Sequence, residues 1–205
     1  METSFVVVVP VKPTTVGKSR LDVLGPSLRA SLAAAFALDT ATTALDTPGV
    51  VGVVVATSDP TVAGPAGALG CLVVPDPGEL NDALAAGAQV AQDRWPAAHP
   101  VALCADLPSL RPDELVTALA TLPLDRAAIV ADAAGTGTTT YAAPYGLFSP
   151  AFGPGSRERH VASGAAEITG DLIGLRTDVD TPHDLDVALE LGVGPHTAAV
   201  LLHGH

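Results

Sequence analysis

The chain has 205 residues, 22 acidic against ten basic side chains, a net charge of −12 and 48% hydrophobic residues. Such acidity disfavours nucleic acid or an anionic membrane surface as a partner, and no apolar run approaches the roughly 18 residues that cross a bilayer. The length suits one domain, 1–205, with a full core. An N-terminus without a basic region before an apolar core, and two cysteines set in or beside apolar runs, Cys71 and Cys104, point to a cytoplasmic protein.

Phe5 to Val9 is a continuous β-branched, apolar run, the pattern of a strand covered on both faces. Pro10, which has no amide hydrogen, should end its ladder. A loop with Gly17 follows, and three of the ten cations, Lys12, Lys18 and Arg20, fall within it. Positive charge concentrated after a buried strand, in an otherwise acidic chain, suits a nucleotide phosphate; a merely solvated basic loop is the alternative. Pro26 to Asp46 predicts the first long helix, Val50 to Thr57 a buried strand, Thr61 to Leu69 a short helix and Cys71 to Val74 a third strand. Glu79 to Trp95 predicts a second long helix. Val101 to Cys104, the fourth strand, runs straight into Asp106-Leu107-Pro108, and a helix follows over Arg111 to Leu122 with Pro112 in its first turn.

The second half is less regular. Ala127 to Asp132 reads as a strand, and the turn Gly135-Thr136-Gly137-Thr138 leads into another. Phe152 to Arg157 reads as a loop feeding a helix over about 157–166, Leu175 to Val179 as a last strand, and Thr181-Pro182-His183-Asp184 as a capped helix start. A final helix is expected over Pro195 to Leu202. Strands alternating with helices predict right-handed crossovers and an α/β three-layer sandwich with a mostly parallel sheet. Ligands of such sheets sit beyond the carboxyl ends of the strands, so loop 10–20 and Asp106 should face one crevice.

Three carboxylates stand out. Asp106 follows a buried strand, and Asp178 and Asp180 flank Val179, so that alternation along an extended segment puts both on one side. Carboxylates gathered at strand ends suit Mg²⁺, which binds through one or two carboxylates plus phosphate oxygens. The same residues also fit a turn cap before Pro108 and a helix start. The Gly135–Thr140 and Gly153–Ser156 loops offer freed amides and hydroxyls to an oxyanion. The chain contains no GxGxxG after the first strand, no GxxxxGK[ST] and no zinc-type Cys/His spacing.

Taken together, Val9-Pro10-Val11-Lys12 with Lys18-Ser19-Arg20-Leu21, Leu80-Asn81, Ala105-Asp106-Leu107-Pro108, Gly135-Thr136-Gly137-Thr138, Phe152-Gly153-Pro154 with Ser156, and Asp178-Val179-Asp180-Thr181-Pro182 with Asp184-Leu185 resemble the guanylyltransferases of coenzyme F420 biosynthesis. The match is to the bacterial phosphoenolpyruvate branch; the sister branch uses 2-phospho-L-lactate. Ala105 departs from the glycine usual in that family. The resemblance implies the nucleotide-diphospho-sugar transferase fold, GTP and phosphoenolpyruvate as substrates, Mg²⁺ as cofactor, and enolpyruvyl-diphospho-guanosine and pyrophosphate as products. It implies that Pro10, Val11, Lys12, Lys18 and Asn81 meet the nucleotide. Lys18, Arg20 and Asp106 are the catalytic residues expected, Asp106, Asp178 and Asp180 the metal ligands, and Thr138, Gly153 and Ser156 the phosphoenolpyruvate site. Hand-off of the product to the next pathway enzyme is a further interaction consistent with that role. Phospholactate transfer, a molybdopterin-type nucleotidyltransferase of the same fold and a non-catalytic nucleotide-binding regulator are the alternatives; retention of all three aspartates and of the loop cations disfavours the last.

Overall fold

The computed structural model describes residues 3–14 and 19–203, with the side chains of Ser19, Arg20 and Asp22 outside that description. Among the described residues seven strands form one sheet, β1 (Phe5–Pro10), β2 (Val50–Ala56), β3 (Leu72–Val74), β4 (His99–Leu103), β5 (Ala128–Ala131), β6 (Thr138–Ala142) and β7 (Ala166–Glu167). Their order across the sheet is β3-β2-β1-β4-β6-β5-β7, and β6 alone runs antiparallel to its neighbours β4 and β5. The reversal has a local cause. The Gly135–Gly137 turn folds β6 straight back along β5, and both carboxylate oxygens of Asp132 close the turn by accepting the Thr136 and Gly137 amides at 2.9 and 2.8 Å.

Alternation along β1 assigns the two faces. Phe5, Val7 and Val9 join one buried cluster with residues of α1 (Pro26–Asp46), α2 (Pro60–Leu69), α4 (Pro112–Ala120) and α6 (Ile173–Arg176). Val6 and Val8 join the other, with Leu84 and Ala91 of α3 (Leu80–Arg94) and with Phe152 and Tyr141. Helix α3 lies so close to β1 that a Cβ on Gly87 would stand 2.4 Å from the Val8 side chain, so only glycine allows this approach. The C-terminal helices α7 (Pro182–Leu191) and α8 (Pro195–His203) pack on α1 through a smaller cluster of Leu21, Leu32, Phe36, Val179, Leu185 and Ala188. The layers are therefore helix, sheet, helix, as the alternating pattern predicts.

Three boundaries differ from expectation. β1 runs on to Pro10: the proline has no amide to offer, but the amide of Val11 donates to Ala56 O at 2.8 Å and continues the pairing with β2. The expected strand over Leu175 to Val179 is instead the short helix α6 followed by extended chain. Leu175 and Val179 are fully buried, and that burial, not sheet pairing, produced the strand-like pattern. The helix expected over 157–166 ends early as α5 (Ser156–Ala162), and Ala166–Glu167 becomes edge strand β7, paired parallel with β5.

Candidate active site

The strand order changes direction between β1 and β4, and in doubly wound sheets that point opens a crevice beyond the carboxyl ends of the strands. A cleft of about 250 Å³ lies there. Pro10, Val11 and Lys12 line it from the end of β1, Cys104, Ala105 and Asp106 from the end of β4, and Asp180 from the segment before α7. Leu80, Leu84 and Phe152 supply an apolar wall. Loop 10–14 and Asp106 thus share one crevice, as the topology predicts. Lys18, and the side chain of Arg20, lie outside the described residues.

Two buried polar side chains hold backbone of the segments that line the cleft. Thr40 on α1 donates to Ala105 O at 3.3 Å and accepts the Leu107 amide at 3.2 Å, which brackets Asp106 between fixed backbone groups. Asp59, the N-cap of α2, accepts the Thr14 amide and hydroxyl, both at 2.7 Å, so it anchors the start of the basic loop. Burial alone would raise the Asp59 carboxyl, but hydrogen bonds from Thr61 and Thr14 outweigh it and lower its pKa to about 2.

Asp106, Asp178 and Asp180 each place a carboxylate oxygen within 4.8 Å of the others. The arrangement is built by backbone. Val179 N donates to Asp106 O at 3.0 Å, laying the extended chain against the end of β4. Val179 turns into the core while its neighbours Asp178 and Asp180 stay half-buried, so alternation operates here without a strand. Arg176 fixes the approach by donating to Ala131 O and Ile168 O at 3.0 and 2.9 Å. Downstream, Asp184 accepts the amides of Asp180 and Thr181 at 3.1 and 2.7 Å, closing the capping box of α7. Burial, then the adjacent charges of Asp106 and Asp180, push the Asp178 carboxyl up to about 7. Three hard oxygen ligands with repelling charge make a site that fits a dication such as Mg²⁺.

The two glycine loops also meet. Ser156 N donates to Gly153 O at 3.0 Å, and Arg157 N donates to Thr136 O at 3.3 Å. Thr138 and Ser156 are buried beside the cleft, not on its lining, whereas Phe152, next to Gly153, forms part of the wall. Asn81 at the start of α3 grips that wall from both sides: its amide donates to Phe152 O at 3.2 Å and its carbonyl accepts the Phe152 amide at 2.8 Å. Sequence reading overlooked His160, which is fully buried between Thr138 and Ala151. It overlooked Asp59 and Thr40 for the same reason. Each reaches a partner distant in sequence; the Asp59-Pro60-Thr61 helix-start signal marks the cap of α2 but not the bond to Thr14.

No family model matches the chain. It is 50% identical over 203 residues to the phosphoenolpyruvate guanylyltransferase of Thermomonospora curvata, covering 97% of this chain and 89% of that one. It is likewise 50% identical over 204 residues to the phosphoenolpyruvate guanylyltransferase of Streptomyces scabiei, covering 95% and 94%. Among solved structures it superposes on a nucleotide-diphospho-sugar transferase from Desulfovibrio desulfuricans with a TM-score of 0.72 at 19% identity, over 99% of this chain and 96% of that one, which supports the fold. Half-identity maintained over nearly the full length establishes that the chain belongs to the phosphoenolpyruvate guanylyltransferase family.

Proposed function

We propose that the chain is a Mg²⁺-dependent, GTP-binding phosphoenolpyruvate guanylyltransferase of coenzyme F420 biosynthesis, acting in the cytoplasm. An oxygen of the acceptor phosphate attacks the α-phosphorus of GTP, the bond from that phosphorus to the β-phosphate oxygen breaks, and pyrophosphate leaves. The nucleophile is already an anion, so no general base is required and catalysis reduces to alignment and charge neutralisation. The observation that carries this reading is the Asp106–Asp178–Asp180 cluster, two of whose members line a cleft that Lys12 also lines.

Asp106, Asp178 and Asp180 would hold the dication, which when bound offsets the charge of two anions brought within attacking distance. Pro10, Val11 and Lys12 face the triphosphate, and Lys18 and Arg20 complete the charge around the departing pyrophosphate. The apolar wall of Leu80, Leu84 and Phe152 accommodates the flat face of a base. Asn81 supports the nucleotide side by fixing Phe152 in that wall. Thr138, Gly153 and Ser156 receive phosphoenolpyruvate, which has little apolar surface and depends on directed donors and charge. The two glycine loops that carry them are bonded to each other, consistent with one anion site.

Pyrophosphate release from GTP, measured in parallel with phosphoenolpyruvate, 2-phospho-L-lactate and a molybdopterin-type acceptor, with Mg²⁺ and with EDTA, tests the assignment. The expected outcome is release with phosphoenolpyruvate and Mg²⁺, abolished by EDTA. Faster turnover with either other acceptor would reassign the substrate, and full turnover in EDTA would remove the metal.

A further inference from the structure

His160 bridges the two loops assigned to the acceptor. Its ring is fully buried, tilted by 34° against Tyr141 at 4.9 Å and edge-on to Phe152 at 5.6 Å. Nε2 lies 2.8 Å from the backbone nitrogen of Ala151, and Nδ1 lies 3.0 Å from the Thr138 hydroxyl. A backbone N–H can only donate, so Nε2 is the acceptor and carries no proton. A neutral imidazole then bears its hydrogen on Nδ1, and that N–H donates to Thr138 Oγ1. One lone pair of the hydroxyl oxygen is thereby occupied. Its own hydrogen is not used by the ring and has no acceptor among the described residues.

We propose that His160 is a positioning residue that fixes the Thr138 hydroxyl as a hydrogen-bond donor to an anionic oxygen of the acceptor. The inference rests on the guanylyltransferase reading above for the identity of that acceptor. A threonine hydroxyl free to rotate presents a lone pair or a hydrogen with similar ease. One that accepts Nδ1–H cannot spend its own hydrogen on the ring, so that hydrogen stays available to a phosphate or carboxylate oxygen. The same ring also sets the loop beyond it. Ala151 N is bound to Nε2, Ala151 O and Pro154 O both accept from Arg159, and Gly153 sits between them in a left-handed conformation with φ of 125°. Thr138 on β6 and the Gly153 backbone are thus held in one frame by two adjacent residues of α5. Burial, reinforced by the neighbouring Arg159 charge, lowers the His160 pKa to about 4, in keeping with a ring that stays neutral at working pH.

Two measurements test this. Nitrogen-15 NMR of the histidine rings in the substrate-free enzyme, with His160→Gln used to assign the signal, should show Nδ1 protonated and Nε2 bare. Kinetics of His160→Phe and His160→Gln then separate positioning from bulk stability. The phenyl ring preserves volume and removes both polar atoms, so KM for phosphoenolpyruvate should rise at least about tenfold, the scale of one lost hydrogen bond to a charged group, with KM for GTP little changed. Glutamine offers a donor and an acceptor at similar separation and should recover most of that loss. A ring protonated on Nε2, or parallel rises in both KM values with no recovery by glutamine, would overturn the proposal. A wild-type enzyme inert toward phosphoenolpyruvate would overturn the guanylyltransferase reading and with it the oxyanion role, whereas the wrong tautomer in an active enzyme overturns the role of His160 alone.

Discussion

Asp178→Asn should stabilise the metal-free protein while destroying its response to divalent cations. Three carboxylates with oxygens within 4.8 Å of one another repel, Asp178 among them. Burial first, then the charges of Asp106 and Asp180, raise its pKa from 3.8 to about 7. A carboxyl whose folded pKa exceeds its unfolded value binds more protons in the native state than in the unfolded one. Its favourable contribution is therefore complete below the unfolded pKa and is lost as pH rises through the folded one. Here the window runs from 3.8 to about 7, so metal-free wild type should lose stability across it. The full difference corresponds to about 4 kcal/mol, and the partial exposure of the group reduces this to about 2–3 kcal/mol. An asparagine of the same shape carries no charge to desolvate. For a domain of this size the change amounts to a rise of roughly 5–10 °C in Tm. Differential scanning calorimetry in EDTA reads it directly: the variant should melt above wild type at about pH 8, with a smaller difference at about pH 5. Adding Mg²⁺ should raise the wild-type Tm by mass action and leave the variant nearly unmoved. A variant less stable than wild type in EDTA at the higher pH, or equally shifted at both, would show that the carboxylates are not crowded as described.

Other substitutions separate the parts of the cleft. Asp106→Asn should remove most turnover while leaving the fold intact, and wild-type activity at saturating Mg²⁺ would dismiss it as a metal ligand. Lys18→Ala and Arg20→Ala should each cost about 2–4 kcal/mol of transition-state stabilisation, comparable with loss of one positioned oxyanion donor, measured as kcat/KM for GTP; unchanged values would make the loop solvated surface. Gly153→Val should raise KM for phosphoenolpyruvate more than Ser156→Ala, because the residue adopts φ of 125°, where a β-branched side chain is strained. If both variants instead weaken GTP and spare the acceptor, the two halves of the crevice are exchanged.

The features legible in the sequence were those written in local pattern. The unbroken apolar run of Phe5–Val9 announced a doubly covered strand, and the break after each strand announced where the cleft would open. The alternating Asp178-Val179-Asp180 was read as two carboxylates on one side, and the three oxygens do gather, although the reason differs: the segment is laid against β4 by the bond from Val179 N to Asp106 O and held at Asp180 by Asp184, not by a sheet. Strand β7 was illegible because two residues at a sheet edge carry no periodicity. The supports of the site were illegible for another reason. His160, Asp59 and Thr40 each bond to groups 9 to 67 positions away, and such pairings become visible only when the chain is folded. Asn81 was singled out by resemblance, and its bond partners on Phe152 supply the physical reason, a clamp 71 positions across the chain.

The most direct test of the account is phosphorus-31 NMR of the wild-type enzyme incubated with GTP, Mg²⁺ and phosphoenolpyruvate. Attack of the acceptor phosphate on the α-phosphorus predicts two mutually coupled diphosphate resonances of a new species, one from GTP and one from phosphoenolpyruvate, appearing in step with an equal amount of pyrophosphate. GDP and inorganic phosphate as the only products, or pyrophosphate without the coupled pair, would contradict it.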